Sequence, residues 1–192
     1  MNIVAIIPAR MAATRFPGKP MAQMRGMPMI GHCYLRSKLA KSLTDVYVAT
    51  CDQVIFDYIV SIGGKAVMTS STHERATDRT SEALLKIEKE TGKPIDLVAM
   101  VQGDEPLIHP DMIEKGIQPF MKDNGTKVVN LMSPIDDLAR FESPNDVKVV
   151  VNLKSEFVPP LLVIFPFIIS PSYSGKYLYP ISKEDGLILS FI

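Results

Sequence analysis

Three short stretches hold the residues whose types and spacing could do chemistry. The first, residues 8–20 (PARMAATRFPGKP), brings Arg10, Arg15 and Lys19 into one segment. Arginine offers a planar fork to phosphate and lysine a mobile point charge. Backbone N–H groups in a tight Gly-containing loop add further donors. The stretch has neither G-x-G-x-x-G nor G-x-x-x-x-G-K-[ST], which excludes a dinucleotide fingerprint and a Walker A loop. A solvated basic loop is the competing reading. The second, residues 70–79 (SSTHERATDR), is polar and opens a helix, whose N-terminus favours anions. Here the competing reading is a capped helix start with a weak surface ion pair between Asp78 and Arg75 or Arg79. His73 has the chemistry of a base, with a surface hydrogen bond as the simpler role. The third, residues 101–106 (VQGDEP), ends a buried apolar run in Gly-Asp-Glu. A carboxylate there is a hard oxygen ligand for Mg²⁺, with Asp104 the ligand and Glu105 its support. Its alternative is an Asp capping its own turn. A cationic phosphate clamp beside one carboxylate is the minimum set for nucleotide phosphoryl chemistry.

Other reactive residue types lack such company. Cys33 and Cys51 form no disulfide framework and no C-x-x-C motif, so they read as ordinary thiols. His32 and His109 have no partner at catalytic spacing. The methionines of residues 21–29 read as core filler.

The three stretches need elements to carry them. Residues 2–8 (NIVAIIP) form a continuous apolar, β-rich run, the pattern of a buried parallel strand. Strands are further predicted at 45–49, 65–68, 97–101, 127–132 and 146–152. Helices are predicted at 28–40, 53–62, 78–90 and 110–121, the third capped by Thr77 or Asp78 and stopped by Gly92. Alternation at this spacing predicts an α/β fold: a three-layer, Rossmann-like domain with a mostly parallel sheet. Ligands on such sheets bind beyond the carboxyl ends of the strands, where all three polar stretches fall.

Composition narrows the function classes. The 192 residues carry 21 Lys plus Arg against 21 Asp plus Glu. That balance leaves no electrostatic footprint for nucleic acid or an anionic membrane. The start (MNIVAIIPAR) has no basic leader, and the longest apolar stretch, 157–169, is short and broken by prolines, so no membrane span is expected. Reduced thiols without a targeting signal point to the cytoplasm. After residue 150 only Lys154, Glu156, Lys176, Lys183, Glu184 and Asp185 are charged. The prolines of 157–192 are expected to bar both helix and central strand.

IIPAR…TRFPGKP, H…TDR and VQGDEPLI together resemble the bacterial sugar-acid cytidylyltransferases, in particular the 3-deoxy-manno-octulosonate (KDO) cytidylyltransferase family. The resemblance runs from Met1 to about Glu156. It implies a nucleotide-binding domain over residues 1–156 and an atypical tail over 157–192; the abrupt change in composition there is what out-of-frame translation would produce. It further implies a Mg²⁺-dependent transfer of CMP from CTP to a sugar acid, with pyrophosphate released, in lipopolysaccharide biosynthesis. Transfer to acylneuraminate or another sugar acid, and CTP binding without turnover, are the alternatives. Arg10 and Lys19 would hold the triphosphate with Arg15 assisting, and Asp104 would bind Mg²⁺. Ala9, Arg75, Thr77, Asp78 and Arg79 would lie near the nucleotide, and Gln102 would read cytosine. Family members are homodimers, so a homodimer is the implied assembly. Arg75-Ala76 replaces the Ser-Gly usual in the family before Thr-Asp-Arg.

Overall fold

Strand β1, Ile3–Ala9, is buried at all seven positions, as its apolar sequence requires. In the computed structural model, which describes residues 1–12, 16–122, 126, 128–134, 137–144, 148–149 and 161–169, β1 lies between two parallel neighbours. On one side is β4 (Asp45–Thr50), with Val4 opposite Asp45; on the other is β6 (Leu97–Met100), with Ile3 opposite Leu97. β5 (Lys65–Met68) adds in parallel outside β4. Between β1 and β4 the chain makes a two-stranded hairpin, β2 (Gln23–Met24) and β3 (Met27–Pro28). Its turn residues Arg25 and Gly26 both have positive φ, 50° and 82°, the requirement of a tight two-residue hairpin.

Side chains alternate across β1 and build two cores. Ile3, Ala5 and Ile7 pack with Ile30 of α1 (Met29–Ser37), Ile55 of α2 (Gln53–Ser61) and Ile113 of α4 (Pro110–Lys122). Val4 and Ile6 pack on the other face with Ala83 and Ile87 of α3 (Ala76–Thr91). Helices therefore cover both faces of a parallel sheet, the three-layer α/β fold the alternation predicts.

The remaining described elements are β7 (Val128–Pro134), α5 (Leu138–Glu142), β8 (Lys148–Val149) and β9 (Leu161–Ile169). The chain divides into two compact units, the first taking in Met1–Val129 with residues 166–169, the second the described part of Asn130–Phe165. In the first, residues 167–169 of β9 run antiparallel to β6, from Phe167 opposite Met100 to Ile169 opposite Val98. In the second, β8 pairs antiparallel with the start of β9.

Two expectations change. The prolines of the tail do not prevent a strand: β9 contains Pro166, and its ladder to β6 begins one residue later, at Phe167. Nor does Thr77 or Asp78 cap α3. The helix starts at Ala76, with Arg75 in the cap position and no side-chain cap. Asp78 falls inside the first turn, where its charge complements the helix dipole instead. The predicted strand 146–152 is described only at Lys148–Val149, and the boundary at residue 156 lies outside the described residues.

Candidate active site

The carboxyl ends of β1, β5 and β6 release the three polar stretches at the same edge of the sheet, and the stretches enclose a cavity of about 240 Å³. Ala9, Arg10 and Lys19 line it from the first, and Gln102, Gly103 and Asp104 from the third. His73, Glu74, Arg75, Ala76 and Arg79 line it from the second. Pro8, Pro20 and Met29, which nothing in their residue types marked out, complete the wall. Thr77 and Asp78 lie outside it, in the first turn of α3, with Asp78 exposed. Arg15 lies outside the described residues.

The first stretch is a closed loop. Gly18 N–H donates to the Met11 carbonyl at 2.9 Å, and Gly18 sits at φ 74°, a left-handed conformation that glycine adopts without strain. Arg10 and Lys19 therefore flank the two ends of a backbone pinch. Arg10 Nη1 reaches the His73 carbonyl at 3.5 Å. Lys19 Nζ donates to Asp104 Oδ2 at 2.8 Å, both side chains remaining well exposed.

The second stretch hangs from α3. Glu82 accepts the Ser70 N–H at 2.9 Å and the His73 ring through one oxygen, and pairs with Lys86 at 2.7 Å through the other. Lys86, the Ser70 N–H and His73 hold the Glu82 carboxyl down at a pKa of about 2, against the cost of burial. Arg79 is 2% exposed. Its Nη1 donates to Thr69 Oγ1 at 2.5 Å, while Nη2 is buried without a hydrogen-bond partner. A buried guanidinium nitrogen left unpaired is costly.

The third stretch is fixed from below. A Cβ on Gly103 would stand 2.6 Å from the Pro8 carbonyl, so the loop closes over β1 only with glycine here. Cys33 Sγ donates to the Gly103 carbonyl at 3.4 Å, and Arg36 Nε to that of Ile108 at 2.7 Å, which ties both ends of the loop to α1. Burial, with the adjacent Asp104 charge second, pushes the Glu105 carboxyl above its ordinary range, and Lys19 opposes the shift.

Among the described residues no group of three or more His, Cys, Asp or Glu could hold a metal ion on its own. The donor set suits an ion delivered with a substrate. Asp104 gives one hard oxygen ligand at the cavity wall, and Mg²⁺ takes one or two carboxylates, waters and phosphate oxygens. No helix among the described residues is long and apolar enough to cross a membrane.

Residues 4–157 match the family model described as cytidylyltransferase. The 3-deoxy-manno-octulosonate cytidylyltransferase of Trichlorobacter lovleyi is 47% identical over 152 residues, 79% of this chain and 58% of that protein. The 8-amino-3,8-dideoxy-manno-octulosonate cytidylyltransferase of a Shewanella species is 44% identical over 151 residues, 78% of this chain and 60% of that protein. The chain thus matches less than two thirds of the length of these curated relatives. Among solved structures, CMP:2-keto-3-deoxy-manno-octonic acid synthetase complexed with CTP superposes with a TM-score of 0.79 at 32% identity, covering 88% of this chain and 74% of that one.

Proposed function

We infer the reaction from one premise: the chain belongs to the cytidylyltransferase family. We propose that it transfers the CMP moiety of CTP to a 3-deoxy-manno-octulosonate sugar acid. The observation that carries the reading is the cavity itself, where Arg10, Lys19, Arg75 and Arg79 line the wall with only two carboxylates, Asp104 and Glu74. Four cations against Asp104 and Glu74 suit a polyanion far better than a neutral ligand.

In the reaction the anomeric hydroxyl oxygen of the sugar acid bonds to the α-phosphorus of CTP. The bond from that phosphorus to the bridging oxygen breaks, pyrophosphate leaves with the electron pair, and the hydroxyl proton passes to solvent. Such an in-line transfer needs positioning and charge neutralisation more than a nucleophilic side chain. Arg10 and Lys19, at the two ends of the pinched loop, hold the outer phosphates, with Arg15 assisting. Arg79, in the same wall, adds its positive charge to the field around the phosphates. Ala9, Arg75, Thr77 and Asp78 flank the nucleotide, and Gln102 meets the base. Asp104 would hold Mg²⁺, which when bound would withdraw charge from the phosphate oxygens. Before substrate arrives, the Lys19–Asp104 pair keeps both groups at the cavity, each neutralising the other. On binding, the lysine would pass to phosphate and free the carboxylate, which would then be able to hold the cation.

Continuous assay of pyrophosphate release tests the proposal. Purified protein with CTP and Mg²⁺ is expected to release pyrophosphate only when a sugar acid is added. Comparing 3-deoxy-manno-octulosonate with its 8-amino-3,8-dideoxy counterpart assigns the acceptor, since relatives named for each are about equally identical to this chain. Acylneuraminate in a third arm covers the other acceptor class. CTP binding without release for any of the three would refute transfer by this chain. An equilibrium mass measurement would decide whether it forms a homodimer.

A further inference from the structure

Asp52 follows β4 and occupies the N-cap position of α2, a place where aspartate normally accepts a hydrogen bond from the first turn of its own helix. Here it makes no side-chain cap. Its backbone carbonyl receives the Ile55 and Phe56 N–H groups at 3.1 and 3.2 Å. Its carboxylate turns away and accepts the Met11 N–H at 2.8 Å, across 41 residues of sequence. The Asp52 N–H donates to Thr50 Oγ1 at 3.1 Å, which braces the turn.

Met11 is one side of the pinch that closes the first loop, its carbonyl taking the Gly18 N–H at 2.9 Å. Arg10 precedes Met11 and Lys19 follows Gly18. One carboxylate thus fastens to the start of α2 the point at which the two cavity-lining cations leave the backbone. Forgoing a side-chain cap weakens the start of α2, so the redirected carboxylate points to a demand elsewhere.

We propose that Asp52 is a positioning residue for the polyphosphate clamp, acting through Met11 on Arg10 and Lys19; the proposal rests on reading those two cations as the phosphate-binding pair. It does not touch the cavity, and it sets the direction from which the two cations reach the phosphates. A misplacement of about 1 Å costs up to ~100-fold in well-oriented reactions, so a small tilt of the pinch is functionally large.

Two substitutions separate positioning from structural support. Asp52→Ser can cap α2 but is too short to reach Met11. Asp52→Asn keeps an oxygen able to accept the Met11 N–H. With inorganic tripolyphosphate as the calorimetric probe, Asp52→Ser is expected to keep or raise the melting temperature while weakening binding ~10-fold, and Asp52→Asn to stay within ~3-fold of the parent. In an Arg10→Ala background, Asp52→Ser is expected to weaken binding by a smaller factor than in the parent, because one of the two cations it aims is gone. Parent-like affinity in Asp52→Ser, equal losses in both variants, or a fully additive loss with Arg10→Ala would each overturn the proposal, as would failure of the parent chain to bind tripolyphosphate. Tripolyphosphate binding that responds to Asp52 as described, without pyrophosphate release from CTP, supports the positioning role and counts only against the transfer reading.

Discussion

Gly103 has no room for a side chain, because its Cβ would sit 2.6 Å from a backbone oxygen of β1 that cannot move without disturbing the sheet. Gly103→Ala is therefore expected to lose ~1–3 kcal/mol, the usual cost of overpacking, read as a lowered denaturant midpoint. Asp104 would move with the loop, so nucleotide binding should weaken more than stability alone accounts for. The Lys19–Asp104 pair leads to two separable outcomes. Lys19→Ala should weaken CTP by ~10-fold or more and CMP far less, since a charge-assisted contact to the outer phosphates is worth ~1.5–3 kcal/mol. Equal weakening in calorimetric titrations of both nucleotides would assign the lysine elsewhere. Asp104→Asn should leave the fold intact and remove the Mg²⁺ dependence of CTP binding; an unchanged Mg²⁺ response would dismiss the metal role.

At the scale of elements, α3 organises the second loop through one face. Arg79, Glu82 and Lys86 reach Thr69 Oγ1, the Ser70 N–H with His73, and the Met68 carbonyl in turn. Spacings of three and four place these residues along one side of a helix. The depressed Glu82 carboxyl has a pH signature. Its folded value of about 2 lies below the ordinary 4.5, so its stabilisation is complete above pH 4.5 and is lost as pH falls toward 2. Glu82→Gln should be less stable at neutral pH and lose less stability than the parent between pH 4.5 and 2. Parallel stability curves from denaturant melts across that range would disprove the linkage.

For the whole molecule, the two thiols report on folding. Cys33 is fully buried between α1 and the Gly103 loop, and burial, with the charges of Asp104 and Glu105 adding to it, pushes its thiol up to about 12. Cys51 is only half-buried. Native protein should take one alkyl group, at Cys51, and unfolded protein two, by mass spectrometry with peptide mapping. Rapid native modification of Cys33 would mean that the α1 packing is looser than described.

What the sequence determined by itself is the local part. Apolar runs and helical spacing place β1, β4, β5, β6 and α1 to α4 to within a few residues, because side-chain periodicity is a local property; the short α5 has no such signal. The types of Arg10, Lys19 and Asp104, and their positions after strands, were enough to gather them at one sheet edge, since parallel α/β topology sends every such loop to the same side. Tertiary structure decided the rest. The strand at β9 was hidden because its tolerance of Pro166 depends on where the ladder to β6 begins, at Phe167. The start of α3 is ambiguous in sequence because Asp78 is equally at home capping a helix or answering its dipole. The buried state of Arg79, with Nη2 unpaired, and the turning of Asp52 toward Met11 cannot be seen in a sequence at all. Each is a choice among hydrogen-bond partners, and such choices are settled only when residues far apart in the chain are packed together.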